Sequence, residues 1–95
     1  MNTVEGRLDI VWENGAQPTA TPQYALLFVR NTGGGALRPK RIVSTDGLKS
    51  YLIELGFSSD NATHWIEQVH GQGSVSIPNV VLAEPQLEPY IARPA

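Results

Sequence analysis

The hydrophobic positions alternate at the start of the chain, turn helical in the middle and alternate again near the end. Leu8, Ile10 and Trp12 alternate with Asp9, Val11 and Glu13, a period of two that predicts a strand buried on one face. Asn14-Gly15 marks a turn, and a polar stretch with Pro18 and Pro22 leads to Tyr24–Val29. That segment is apolar at consecutive positions, the pattern of an interior strand covered on both sides. Asn31-Thr32-Gly33-Gly34-Gly35 predicts a turn. Leu37–Val43 reads as a third strand, which Pro39 would confine to a sheet edge because proline has no N–H to give to a ladder.

Leu48, Tyr51, Leu52 and Leu55 then stand at i, i+3, i+4 and i+7, one apolar stripe of a helix. Ser44 or Thr45 can cap its first turn, and Asp46 complements the positive end of its dipole. With Ser44 as the cap, Val43 and Leu48 occupy the positions of a hydrophobic staple. Gly56 predicts a left-handed stop, with Phe57 folded back on Leu52. A second helix follows at once, capped by Ser58 or Ser59, with Ala62, Trp65, Ile66 and Val69 on its apolar side and Gly71 and Gly73 ending it. So short a link predicts a helical hairpin with both stripes on one core.

Ser74-Val75-Ser76-Ile77 returns to alternation, and Pro78 before Val80–Leu82 predicts a bulge or an edge position. Beyond Ala83 the prolines 85, 89 and 94 predict no regular element, only a turn pinned by Leu87, Tyr90 and Ile91. The sum is an α+β domain over residues 1–83 with a proline-rich tail, 84–95. Its predicted order is β-β-(β)-α-α-β, an antiparallel sheet packed against the helical hairpin.

Composition narrows the function more than it changes the fold. Ninety-five residues suffice for one domain and one core. Charged residues make up 17%, below the usual ~25%, which leaves neutral and apolar surface available for association. The absence of cysteine rules out disulfides, thiolate metal sites and cysteine nucleophiles. No basic-then-apolar leader opens the sequence, and the apolar run Ala25–Val29 is far short of the ~20 residues that span a bilayer. The expectation is a cytoplasmic protein that does not enter the membrane.

Four places invite a chemical reading. His64, Glu67 and His70 lie three apart on the second helix. A zinc site on one helix favours histidines at i and i+4, so these six-apart histidines fit an exposed polar stripe better, and no cofactor or metal is expected. Arg30, Arg38, Lys40 and Arg41 hold four of the seven bases around the glycine run and could meet an anion or a nucleic-acid backbone. The same cations with Pro39 would also keep an exposed hairpin from pairing. The glycine run itself does not lead straight into a helix, as a phosphate loop must. The helical hairpin could suggest a DNA reader, with Asn61, Thr63, His64 and Gln68 outward. Between Ser44 and Gln72, however, the only Lys or Arg is Lys49, against Asp46, Glu54, Asp60 and Glu67, a balance that repels phosphates. Finally, Trp12 and Trp65 bring indole nitrogens that need a partner when buried.

No serine sits in a nucleophile elbow, and the acid–base pairings the sequence offers, Glu67 with His64 or His70 and Asp46 with an unidentified partner, carry no sign of the burial that would shift a pKa into a useful range. The sequence therefore points away from an enzyme. It points to a bacterial-type accessory or interaction module whose partner is another protein or a second copy, acting through a sheet edge or through Pro78, Val80, Leu82 and Tyr90. A regulator binding nucleic acid or anions through residues 30–41 is the alternative.

Overall fold

A computed structural model describes residues 3–14, 21–31 and 38–90. The elements are β1 (Thr3–Trp12), β2 (Tyr24–Arg30), β3 (Lys40–Ile42), α1 (Thr45–Glu54), α2 (Ser59–Gln72), β4 (Ser74–Ala83) and α3 (Glu84–Leu87), followed by a 3₁₀ turn, Glu88–Tyr90. The strands form one antiparallel sheet in the order β3-β2-β1-β4. This is the α+β architecture the pattern predicts. Pro18, the glycine run Gly33–Gly35, Leu37, Ile91 and Pro94 fall outside the described residues.

The core lies on one face of the sheet. Leu8 and Ile10 of β1, Tyr24, Leu26 and Phe28 of β2, and Ile77, Val80 and Leu82 of β4 are buried there with Leu48 and Leu52 of α1 and Ala62, Ile66 and Val69 of α2. Alternation along each strand puts these residues on a common side. The face is packed tightly enough to dictate a glycine. A methyl group added at Gly6 would overlap the Val29 carbonyl oxygen and stand 2.8 Å from Phe28 Cζ.

The helix ends follow the local rules. Ser44 Oγ accepts from Gly47 N–H at 2.9 Å and Ser58 Oγ from Asn61 N–H at 3.1 Å, which satisfies donors that a first turn leaves free. At the end of α1, Phe57 N–H donates to Leu52 O and Gly56 N–H to Ile53 O. This is the paired pattern of a left-handed stop, with Gly56 at φ 111°. The staple does not form: Val43 is 61% exposed and stands apart from the core. Gly71 lies inside α2, and only Gly73, at φ 84°, ends it.

Both predicted proline effects occur in β4. It is an edge strand, and the register slips by one residue opposite Arg7, where β4 supplies both Pro78 and Asn79. Asn79 takes φ 58° there, a conformation that asparagine tolerates better than most residues. The proline-rich segment departs from expectation, because residues 84–90 are regular. Pro85 sits in the first turn of α3, where a missing N–H breaks no bond. Gln86 Oε1 reaches back to accept Ala83 N–H at 2.8 Å. Leu87 and Tyr90 are buried in the core, and Tyr90 O accepts Arg38 N–H at 2.9 Å. The segment thus straps the covered face from β4 towards β3.

Candidate functional site

The residues singled out in the sequence do not converge. His70, in the last turn of α2, places Nε2 2.7 Å from the Tyr24 hydroxyl, which also lies 2.8 Å from Thr45 Oγ1. Its ring lies tilted against that of Trp12, with centroids 4.3 Å apart. His64 instead meets the edge of Trp65, and Glu67 is exposed. No group of three or more His, Asp or Glu side chains among the described residues could share a metal ion. His70 is thus one end of a Thr45–Tyr24–His70 hydroxyl–imidazole chain that ties α1 and α2 to β2. The Trp12 indole N–H is buried there without a hydrogen-bond partner among the described residues.

The four bases are dispersed as well. Arg41 pairs with Glu13 at 3.4 Å. Arg38 Nε donates to Pro89 O at 3.0 Å. Lys40 Nζ lies over the Tyr51 ring, 5.2 Å from its centroid. Arg30 closes the far end of β2, opposite Gly6. Alternation turns Lys40 and Arg41 to opposite faces of the sheet. Of the proposed interaction residues, Pro78 is exposed, but Val80, Leu82 and Tyr90 are core. Their side chains are buried in the core, 5% exposed at Val80 and fully buried at Leu82 and Tyr90, so they do not form an exposed surface. Val81, between Val80 and Leu82, is the exposed one, at 49%.

The strand edges offer free backbone only in short, interrupted stretches. Trp12 N–H donates to Gly73 O, so with this register Val75 and Ile77 turn their backbone groups to β1 while Ser74 and Ser76 turn theirs outward. Pro78 falls in the outward phase, where it has no N–H to offer, and Ala83 N–H is taken by Gln86. On the other side β3 has three residues, and Pro39 also falls in the outward phase. Both edges are therefore poor templates for a further strand.

The uncovered face of the sheet is a different surface. Across its rows stand Arg41, Ala25, Val11 and Ser74; then Leu27, Asp9 and Ser76; then Val29 and Arg7; then Glu5 and Val81. Val11 is 40% exposed and Val29 36%. Leu27 is half-buried but not part of the core. No described element packs on this side. The sequence carried the signal in the two-sided apolar pattern of Tyr24–Val29, but the fold corrects its reading. β2 is interior in the sheet and the described elements cover one of its faces only, which leaves its second apolar row, Ala25-Leu27-Val29, without a described element on it. Four of the charges on this side pair within the chain, Arg7 with Asp9 at 3.0 Å and Arg41 with Glu13, and Glu5 stands opposite Val81.

A pocket of about 280 Å³ opens on the helical side, lined by Lys40, Tyr51, Glu54, Leu55, Pro85, Gln86 and Pro89. Tyr51, one of its lining residues, hydrogen-bonds through its hydroxyl to the hydroxyl of the buried Tyr90. Burial raises the Tyr90 pKa well above the ordinary 10.0, and its bond to Tyr51 raises it further. Burial also raises Tyr51, partly offset by the bond to Tyr90 and reinforced by the nearby Glu54 carboxylate. Both phenols thus resist ionisation beyond the pH at which an exposed tyrosine titrates. No described helix is long and apolar enough to cross a membrane. Comparisons of the chain with protein-family models, with curated proteins and with solved structures found no match.

Proposed function

We propose that the protein is a non-enzymatic interaction module whose working surface is the uncovered face of the sheet, and that its partner there is a second copy of the chain. The observation that carries this reading is the second apolar row of β2. An antiparallel strand with one wet face ordinarily alternates apolar with polar residues. β1 comes close to that rule, with Glu5, Arg7 and Asp9 on its open side, whereas β2 places Ala25, Leu27 and Val29 there.

The internal pairing of Arg7 with Asp9 and Arg41 with Glu13 favours self-association, because two such faces meet with little like-charge repulsion. Three long strands at ~4.8 Å spacing offer roughly 400 Å² of sheet face, about half of the ~800 Å² per partner in a standard interface. Association is therefore weak and depends on concentration. The few free backbone groups along β4 and β3 make face packing a better mode than the edge pairing suggested by the sequence.

The register supplies a clean test. Val29 stands opposite Arg7 and Val81 opposite Glu5. The double variant Val29→Glu, Val81→Lys gives each new charge an opposite neighbour in its own chain and leaves net charge unchanged. Sedimentation of the natural protein between ~10 µM and ~1 mM, a range set by the small interface, should show dimer growing with concentration. The double variant should remain at the chain mass of 10.3 kDa. Equal association of the two proteins would refute the assignment of this face.

A further inference from the structure

The pocket between α1, β3 and α3 holds a cation and an anion that do not pair. Lys40 comes from β3 and Glu54 from the last turn of α1, and neither forms an ion pair among the described residues. Lys40 is held in place over the Tyr51 ring at 5.2 Å, an arrangement in which the ring face attracts the ammonium group. The same pocket is lined by Leu55, Pro85 and Pro89, rigid or branched apolar groups. Gln86 uses Oε1 on Ala83 N–H, which leaves its amide NH₂ as a further donor on the rim. At about 280 Å³ the pocket is slightly smaller than the ~300–1,000 Å³ of sites for drug-sized ligands.

Those features select among ligand chemistries. A phosphate would meet one lysine and be repelled by Glu54, whereas phosphate sites gather several donors or cations. A divalent cation would find one carboxylate, where metal sites use several oxygen or nitrogen ligands. A purely apolar molecule would strip water from Lys40 and Glu54 and return nothing for it. A molecule with its own anion and cation on a small apolar body meets every group present.

We propose that this pocket binds a small zwitterion, a free α-amino acid with a branched or cyclic apolar side chain. Its carboxylate pairs with Lys40, its ammonium with Glu54, and its side chain lies on Leu55, Pro85 and Pro89. The site is half open and the ligand has fewer than ten heavy atoms, so the affinity is in the millimolar range. This site is separate from the uncovered sheet face and does not depend on self-association.

The test is a titration followed by amide NMR shifts on the full chain, with L-leucine, N-acetyl-leucine and leucinamide as probes. Leucine should shift amide resonances of residues 51–55 and 86–88. N-acetyl-leucine, which lacks the ammonium, and leucinamide, which lacks the carboxylate, should bind at least tenfold more weakly. Glu54→Gln, at an exposed position, should reduce leucine to the level of N-acetyl-leucine. Lys40→Gln should reduce it to the level of leucinamide, and unchanged thermal midpoints would show that both variants fold. No shift at ~50 mM leucine, far above a millimolar Kd, would overturn the proposal. So would N-acetyl-leucine binding as tightly as leucine, or shifts confined to other residues.

Discussion

Phe28 and Val29 are neighbours on β2, yet Phe28 is fully buried while Val29 is 36% exposed. The contrast runs through the whole sheet, because the same strands make both faces residue by residue. On the covered side Leu8, Ile10, Tyr24, Leu26, Phe28, Ile77 and Leu82 meet two helices and the C-terminal strap. The space is tight enough that Gly6 has no room for a methyl group. On the open side the apolar residues are smaller and interrupted by ion pairs, and no described element rests on them. One face holds the fold together. The other carries apolar character that the fold does not use, which is why it is the better place to look for function.

Substitution within that neighbouring pair exposes the difference most strongly. Phe28→Ala should cost about 3–5 kcal/mol by removing a core ring and leaving a cavity. Val29→Thr should fall within about 0.5 kcal/mol, both read from urea unfolding midpoints. Similar losses at the two positions would mean that the open face is also structural. Next in size is Gly6→Ala. Its new methyl group meets β2 backbone that cannot yield, and a loss of about 1–3 kcal/mol or more is expected from overpacking.

Tyr51 and Tyr90 test the covered side by pH. Their raised pKa values mean that the unfolded chain releases phenolic protons first, near pH 10. The folded state then binds more protons than the unfolded one. Stability is fully present below about pH 10 and falls as pH rises above it. Unfolding midpoints measured from pH 8 to 11 should show that decline. Tyr51→Phe should lessen it while lowering stability by about 1–3 kcal/mol at neutral pH, because the buried Tyr90 hydroxyl loses its partner. Smaller again is Ser44→Ala, which removes the α1 cap and should cost about 1 kcal/mol.

The helical hairpin was the most legible part of the sequence, because caps, stripe spacing and the Gly56 stop are local signals that tertiary packing had no reason to override. Pro39 and Pro78 likewise announced edge strands through a missing donor. Three things were not legible. The prolines of residues 84–90 looked like breakers, but whether a proline breaks a helix depends on its position within the turn, which spacing alone does not give. Val80 and Leu82 looked available because the bulge at Pro78–Asn79 resets which residues face the core. The pocket of Lys40, Glu54, Pro85 and Pro89 joins three segments far apart in the chain, and no sequence period connects them. The open face was visible only as an excess, a strand apolar on two sides where the described elements cover one.

Self-association through the open face has a position on the chain, and a dilution series of amide NMR spectra reads that position directly. Between ~1 mM and ~20 µM, concentrations that bracket a weak interface, the predicted shifts fall on Glu5 to Val11, Ala25 to Val29 and Val81, while α1 and α2 stay still. Spectra that do not change with concentration, or changes gathered along the outer edge of β4 or on the helices, would contradict it.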